Sequence, residues 1–146
     1  MEHLFDNSPF RIYAFCVAVL VAKMIYSSVY TAMRRREHAA TQNREDTDLI
    51  NAPDVRAQDH PAVARALRIQ RNDVENIPAF FAIGLVYVLT GASSFGAWLW
   101  CGLFTSSRIV HTFAYISSSQ PLRSIAYTAG LVALGLMSLI VFFRVL

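Results

Sequence analysis

The chain has 146 residues, 55% of them hydrophobic, and a net charge of +3. That length suits a single domain, residues 1–146, and the apolar share is well above the balance of an ordinary soluble protein. The positive charge is gathered beside apolar blocks rather than spread over a face, which argues against a nucleic-acid partner and for a membrane protein.

The N-terminal stretch MEHLFDNSPF carries Glu2 and Asp6 where a cleavable signal carries positive charge, and the block behind it is span-length. No signal peptide is expected, and no lipidation motif is present. A span needs roughly 20 mostly apolar residues. Four blocks are candidates: 10–33, 77–90 with polar helical turns before it, 95–116 and 124–146. The expectation is an all-α fold, an integral membrane four-helix bundle.

The first block contains Lys23 and ends in MRRRE, a sequence suited to anchoring at anionic lipid. Arg34, Arg35, Arg36, Arg44, Arg56, Arg65, Arg68 and Arg71 all fall between blocks one and two. The connection GASS has no Lys or Arg, and the connection after block three has Arg123. Loops one and three therefore face the cytoplasm, with both termini in the lumen, periplasm or exterior. Loop one, from residue 34 to about 60, is polar and expected to be partly irregular. A helix then starts at Pro61, capped by Asp59 or His60, and runs into block two. Pro78 removes a backbone donor and crowds the carbonyl of Val74, which predicts a kink. A tight turn follows block two, and SSSQP sets the start of the fourth helix near residues 119–121. Cys16 and Cys101 lie inside apolar blocks with no CxxC or metal spacing, and read as buried thiols.

Polar residues on these helices fall into stripes, because positions three, four and seven apart share a face. The second helix aligns Arg68, Asn72 and Glu75, with Arg71 four residues before Glu75. The third aligns Arg108, His111 and Tyr115. The fourth pairs Arg123 with Tyr127 and Ser124 with Thr128. By the topology above, all three stripes lie toward the cytoplasmic ends of their spans. Ionisable groups within a membrane span are costly. An internal Arg71–Glu75 ion pair and an anchoring Arg108 are the structural alternatives, and an ion path through a small channel is another. Pairing alone would not need His, Tyr, Asn and Ser as well. His111 has no second ligand at metal spacing on its helix, so no metal is expected.

Several guanidinium groups, one carboxylate, an amide, an imidazole, a phenol and hydroxyls suit a small zwitterionic peptide with more than one carboxylate. Arg123 and Ser124 sit in the first turn of the fourth helix, where free N–H groups and the helix dipole favour an anion such as a thiolate.

At these residues the chain resembles the membrane-associated proteins in eicosanoid and glutathione metabolism, the MAPEG family. Within it, the likeness is to the microsomal glutathione transferase and microsomal prostaglandin E synthase branch. The matching stretches are RNDVENIPAFFAIGLVYVLTG and RIVHTFAYISSSQPLRSIAYT, supported by VAKMIYSSVYTAMRRR and NRED. The resemblance implies a homotrimer of four-helix subunits, with glutathione bound between neighbours near the cytoplasmic face. The host membrane is the endoplasmic reticulum or a bacterial inner membrane. Arg71, Asn72, Glu75, His111 and Tyr115 match glutathione-holding positions, Tyr127 matches a nearby contact, and Arg108 joins them as a candidate from its stripe. Arg123 and Ser124 match the pair beside the thiol. Arg35 matches a basic position at the end of the first helix. Asp46 matches an acidic, candidate catalytic position in the family's NPED, where Arg44 here replaces the proline. RSIAYT leans toward the prostaglandin synthases, and RIVHT toward the transferases.

The expected activity is glutathione-dependent chemistry on a lipophilic electrophile or lipid hydroperoxide. An endoperoxide isomerase and a non-catalytic lipid-binding member are the alternatives. A thiol of pKa near 8.5 is only a few per cent ionised at pH 7. Lowering that pKa by two units takes about 2.7 kcal/mol of preferential stabilisation. Arg123, the Ser124 hydroxyl and the helix N-terminus are the groups expected to supply it.

Overall fold

A computed structural model describes residues 6–39, 41, 43–49 and 58–146. Glu2 and Arg56, used in the charge argument above, lie outside the described residues. Four helices account for most of the chain: α1 Ser8–Glu37, α2 Pro61–Leu89, α3 Ser94–Ile116 and α4 Gln120–Val145. A short 3-10 turn, Arg44–Asp46, sits between α1 and α2.

The helix ends follow local chemistry. The Asn7 side chain accepts the Phe10 N–H at 3.3 Å, with Pro9 in the first turn of α1. Arg34, Arg35 and Arg36 occupy the last turn of α1, where the helix dipole favours cations. Of the two expected caps for α2, His60 serves: its Nδ1 accepts the Ala62 N–H at 3.3 Å. The same ring stacks on His38, the C-cap of α1, at 3.8 Å between centroids. Ser93 caps α3 through the Gly96 N–H at 3.0 Å. The turn before it uses Gly91 at φ +88°, a left-handed conformation that glycine adopts without steric cost. α2 runs unbroken through Pro78.

The helices pack as a diamond. α3 and α4 make the most extensive contact, α1 packs on both α2 and α3, and α2 also touches α4. α1 and α4 do not pack against each other, so α2 and α3 form the short diagonal. The core between them holds Leu20, Ile77, Phe80, Phe104 and Met137, with the Phe80 and Phe104 rings stacked at 4.6 Å.

Among the described residues, only α1 and α4 are long and apolar enough by themselves to cross a membrane. The four-span expectation is thus met by composition at two helices. The N-terminal half of α2 is polar, and Arg108 and His111 interrupt the apolar run of α3. The two apolar helices occupy the outer corners and expose Phe15, Ile25, Val29, Leu131, Phe142 and Phe143. The two polar-bearing helices lie between them, where their polar groups find partners.

Candidate active site

The site begins with one and a half turns of α2. Successive helical residues point about 100° apart, so residues 70 to 75 serve several directions at once. Gln70 lines one cleft and Asn72 lines another. Arg71 and Glu75 point outward between them, with Arg71 Nε donating to Glu75 Oε1 at 2.8 Å. The adjacent carboxylate raises the Arg71 pKa above its ordinary value. Asp73 turns inward and is 2% exposed. It pairs there with Lys23 of α1, and the Ser27 hydroxyl donates to its other oxygen at 2.8 Å.

The first cleft, about 450 Å³, is lined by Asn72, His111, Tyr115, Arg123, Ser124, Tyr127 and Thr128, drawn from α2, α3 and α4. The tight α3–α4 connection makes this possible. The Ser119 N–H bonds the Ala114 carbonyl at 2.9 Å, and Ser118 adopts φ +59°. Arg65 of α2 donates to the Ser118 hydroxyl and ties the turn down. The chain therefore re-enters helix beside the end of α3, with the Arg123 guanidinium 4.9 Å from the centre of the Tyr115 ring. His111 is buried behind, edge-on to Tyr115 at 5.0 Å and 6.3 Å from Tyr127. Ser119 caps α4 without a side-chain hydrogen bond. Arg123 and Ser124 thus lie near the N-terminus of α4, where the helix dipole favours negative charge. Ser124 and Thr128 also border an apolar recess with Ile125 and Ala129.

The second cleft, about 400 Å³, lies on the other side of α2 and shares no lining residue with the first. Arg35, Arg36, Asp46, Gln70, Ser28 and Thr31 are among its walls. Asp46 ends the 3-10 turn and accepts from the Asn43 amide at 3.0 Å. Arg44, in place of the proline, still permits this turn, closed by the Thr47 hydroxyl on the Arg44 carbonyl at 2.7 Å.

Of the residues singled out from sequence, Asn72, His111, Tyr115, Arg123, Ser124 and Tyr127 are brought together in the first cleft. Arg35 and Asp46 meet in the second. Arg71 and Glu75 pair on the outer face, and Arg68 is exposed. Arg108 differs from its expected position. It is 1% exposed, lines neither cleft, and spends its donors on Asn72, Ser107 and the carbonyls of Ala126 and Tyr127. Thr128 was foreshadowed by its spacing from Ser124. The Lys23–Asp73–Ser27 cluster was not, because Asp73 lies 46 to 50 residues from the other two and meets them only across a helix pair.

The chain is 38% identical to the prostaglandin E synthase of Macaca fascicularis, over 77% of this chain and 74% of that protein. It is 37% identical to the human prostaglandin E synthase over the same shares. It is 34% identical to the microsomal glutathione S-transferase 1 of Sus scrofa, over 89% of this chain and 86% of that protein. The MAPEG family model matches residues 13–143, nearly all of the four-helix unit. The chain belongs to the MAPEG family.

Proposed function

We propose that the protein is a glutathione-dependent membrane enzyme that transfers the activated thiol to lipophilic electrophiles or uses it to reduce lipid hydroperoxides. The observation that carries this reading is the first cleft, where three helices deliver Asn72, His111, Tyr115, Arg123, Ser124 and Tyr127 to one level. Its donor set fits an anionic peptide: Arg123 supplies a guanidinium, Ser124, Tyr115 and Tyr127 supply hydroxyls, and Asn72 an amide. Glutathione bound there supplies the nucleophilic sulfur. Arg123 and Ser124 hold negative charge at that sulfur, one by its full charge and one by a hydroxyl hydrogen bond, reinforced by the α4 N-terminus. Tyr115 braces Arg123 through its ring, and His111 packs edge-on behind Tyr115. The recess beside Ser124, lined by Ile125 and Ala129, is an apolar approach for a second substrate arriving from the bilayer.

The two clefts on opposite sides of α2 support a further part of the reading. Arg35 and Asp46 complete a glutathione site only across an interface between copies, in a homotrimer with its sites facing the cytoplasm. The same sulfur would serve endoperoxide isomerisation, and the relatives named prostaglandin E synthase make that the second reading.

The test is titration of the detergent-purified protein with glutathione, following thiolate absorbance in the ultraviolet near neutral pH. Wild type should form thiolate saturably. Arg123→Ala should still bind glutathione but lose thiolate and turnover severalfold, with about twentyfold as the ceiling, the change in ionised fraction if the whole two-unit shift in thiol pKa were lost at pH 7. Near-normal turnover in that variant would remove Arg123 from the chemistry. Parallel assays with an aryl halide, a fatty-acid hydroperoxide and a prostaglandin endoperoxide separate the two readings.

A further inference from the structure

Arg108 is the largest fully buried side chain among the described residues, and the proposed function gives it no ligand to hold. Its surroundings do. Nη1 donates to Asn72 Oδ1 at 3.2 Å, and Nη2 donates to the carbonyls of Ala126 at 3.1 Å and Tyr127 at 3.2 Å. Its guanidinium carbon lies 5.4 Å from the centre of the Phe104 ring and 5.7 Å from that of Tyr127. One side chain of α3 therefore grips both α2 and α4 beside the first cleft.

The contact with Asn72 has a chemical consequence. A guanidinium has five donors and no acceptor. Asn72 must therefore turn its carbonyl oxygen to Arg108, and its NH₂ group is left on the opposite side. That nitrogen makes no hydrogen bond among the described residues, and Asn72 lines the cleft. Arg108 reaches α4 only because residue 130 is glycine. A Cβ built there would overlap Nη2, come within 2.9 Å of the guanidinium carbon and stand 2.6 Å from the Ser107 hydroxyl. Both groups are held by backbone carbonyls, Arg108 by those of Ala126 and Tyr127 and Ser107 by that of Phe104, so making room for a Cβ disturbs those bonds.

We infer that Arg108 is a positioning residue: it locks the Asn72 amide with its NH₂ donors facing the first cleft, and it requires glycine at position 130 to do so. This rests on reading that cleft as a glutathione site. Asn72 then offers two N–H donors to a carbonyl or carboxylate oxygen of the tripeptide, while Arg108 itself never meets the ligand.

The test is calorimetric titration of the full-length protein with glutathione, with KM and kcat measured alongside, for wild type, Asn72→Ala, Gly130→Ala, the double variant and Asn72→Asp. Gly130 lines neither cleft, yet Gly130→Ala should weaken glutathione binding about tenfold, as Asn72→Ala does, the size of one lost hydrogen bond to a charged ligand. KM for glutathione should rise with kcat unchanged within about twofold, because Arg123 and Ser124 are untouched. In the Asn72→Ala background, Gly130→Ala should add nothing. Asn72→Asp keeps an acceptor for Arg108, so it should melt near wild type while losing at least as much affinity, since only acceptors then face the ligand. Additive effects in the double variant, or wild-type affinity in Gly130→Ala, would overturn the inference. If Gly130→Ala does not fold, Asn72→Asp decides, and wild-type affinity there overturns it too. A wild-type protein without glutathione affinity overturns this inference together with the proposed function, whereas additivity in a binding protein overturns this inference alone.

Discussion

Lys23 and Asp73 leave water together, and removing either ion alone from solvent costs several kcal/mol. Their attraction and the Ser27 hydroxyl offset that cost. Lys23→Met should therefore lower stability by about 3–5 kcal/mol, because it strands a buried carboxylate. Adding Asp73→Leu should recover most of the loss. Thermal melting in detergent measures both, and a double variant that melts below the single one would show that the pair itself is stabilising. Much at this scale was legible from sequence. The charge of Lys23 in an apolar run, the Arg71–Glu75 spacing and the polar stripe of α3 were all visible. The inward turn of Arg108 was not. It shares a helical face with Tyr115, but the direction of its long side chain is set by an opening at Gly130 on another helix. Asp73 is the same case, since nothing local to RNDVEN tells which of its polar groups faces α1.

At the scale of the helices, boundaries followed capping chemistry that single residues announce. The Pro61 start, the cap at His60 and the entry to α4 beside Ser119 were all readable from sequence. Which helices face lipid was less readable, because composition sets α1 and α4 apart without placing them at the outer corners until α2 and α3 are seen on the short diagonal. The α2–α3 turn depends on two residues far from either cleft. Gly91→Ala should cost about 1–2 kcal/mol, since an alanine there is held at positive φ with no clash to blame. Ser93→Ala removes the α3 cap and should cost about 1 kcal/mol. Both should shift melting while leaving glutathione affinity as in wild type. A change in affinity would mean that the turn and the clefts are coupled through the bundle.

For the whole molecule, the separation of Arg35 from Arg123 by the body of α2 makes a prediction about mixing. If one copy supplies Arg35 and its neighbour supplies Arg123, then Arg35→Ala and Arg123→Ala chains, each impaired alone, should complement when co-expressed. Random assembly pairs an intact Arg35 with an intact Arg123 at about one interface in four, so activity should return to about a quarter of wild type. No recovery in mixed oligomers of confirmed composition would place both arginines in the service of one copy. This level of organisation is the least legible in sequence, because helical periodicity fixes faces within a chain and carries no count of chains.

The two cysteines of the chain, Cys16 and Cys101, are 2% and 0% exposed, packed in the core between α1 and α3. A catalyst of thiol chemistry that lives among reactive lipids is exposed to the same reagents it disarms. With its own thiols sealed inside, the reactive thiol at the proposed site is the one that each peptide brings in and carries away. Alkylation then departs with the product, and no chemical record of earlier turnovers accumulates on the chain's own thiols.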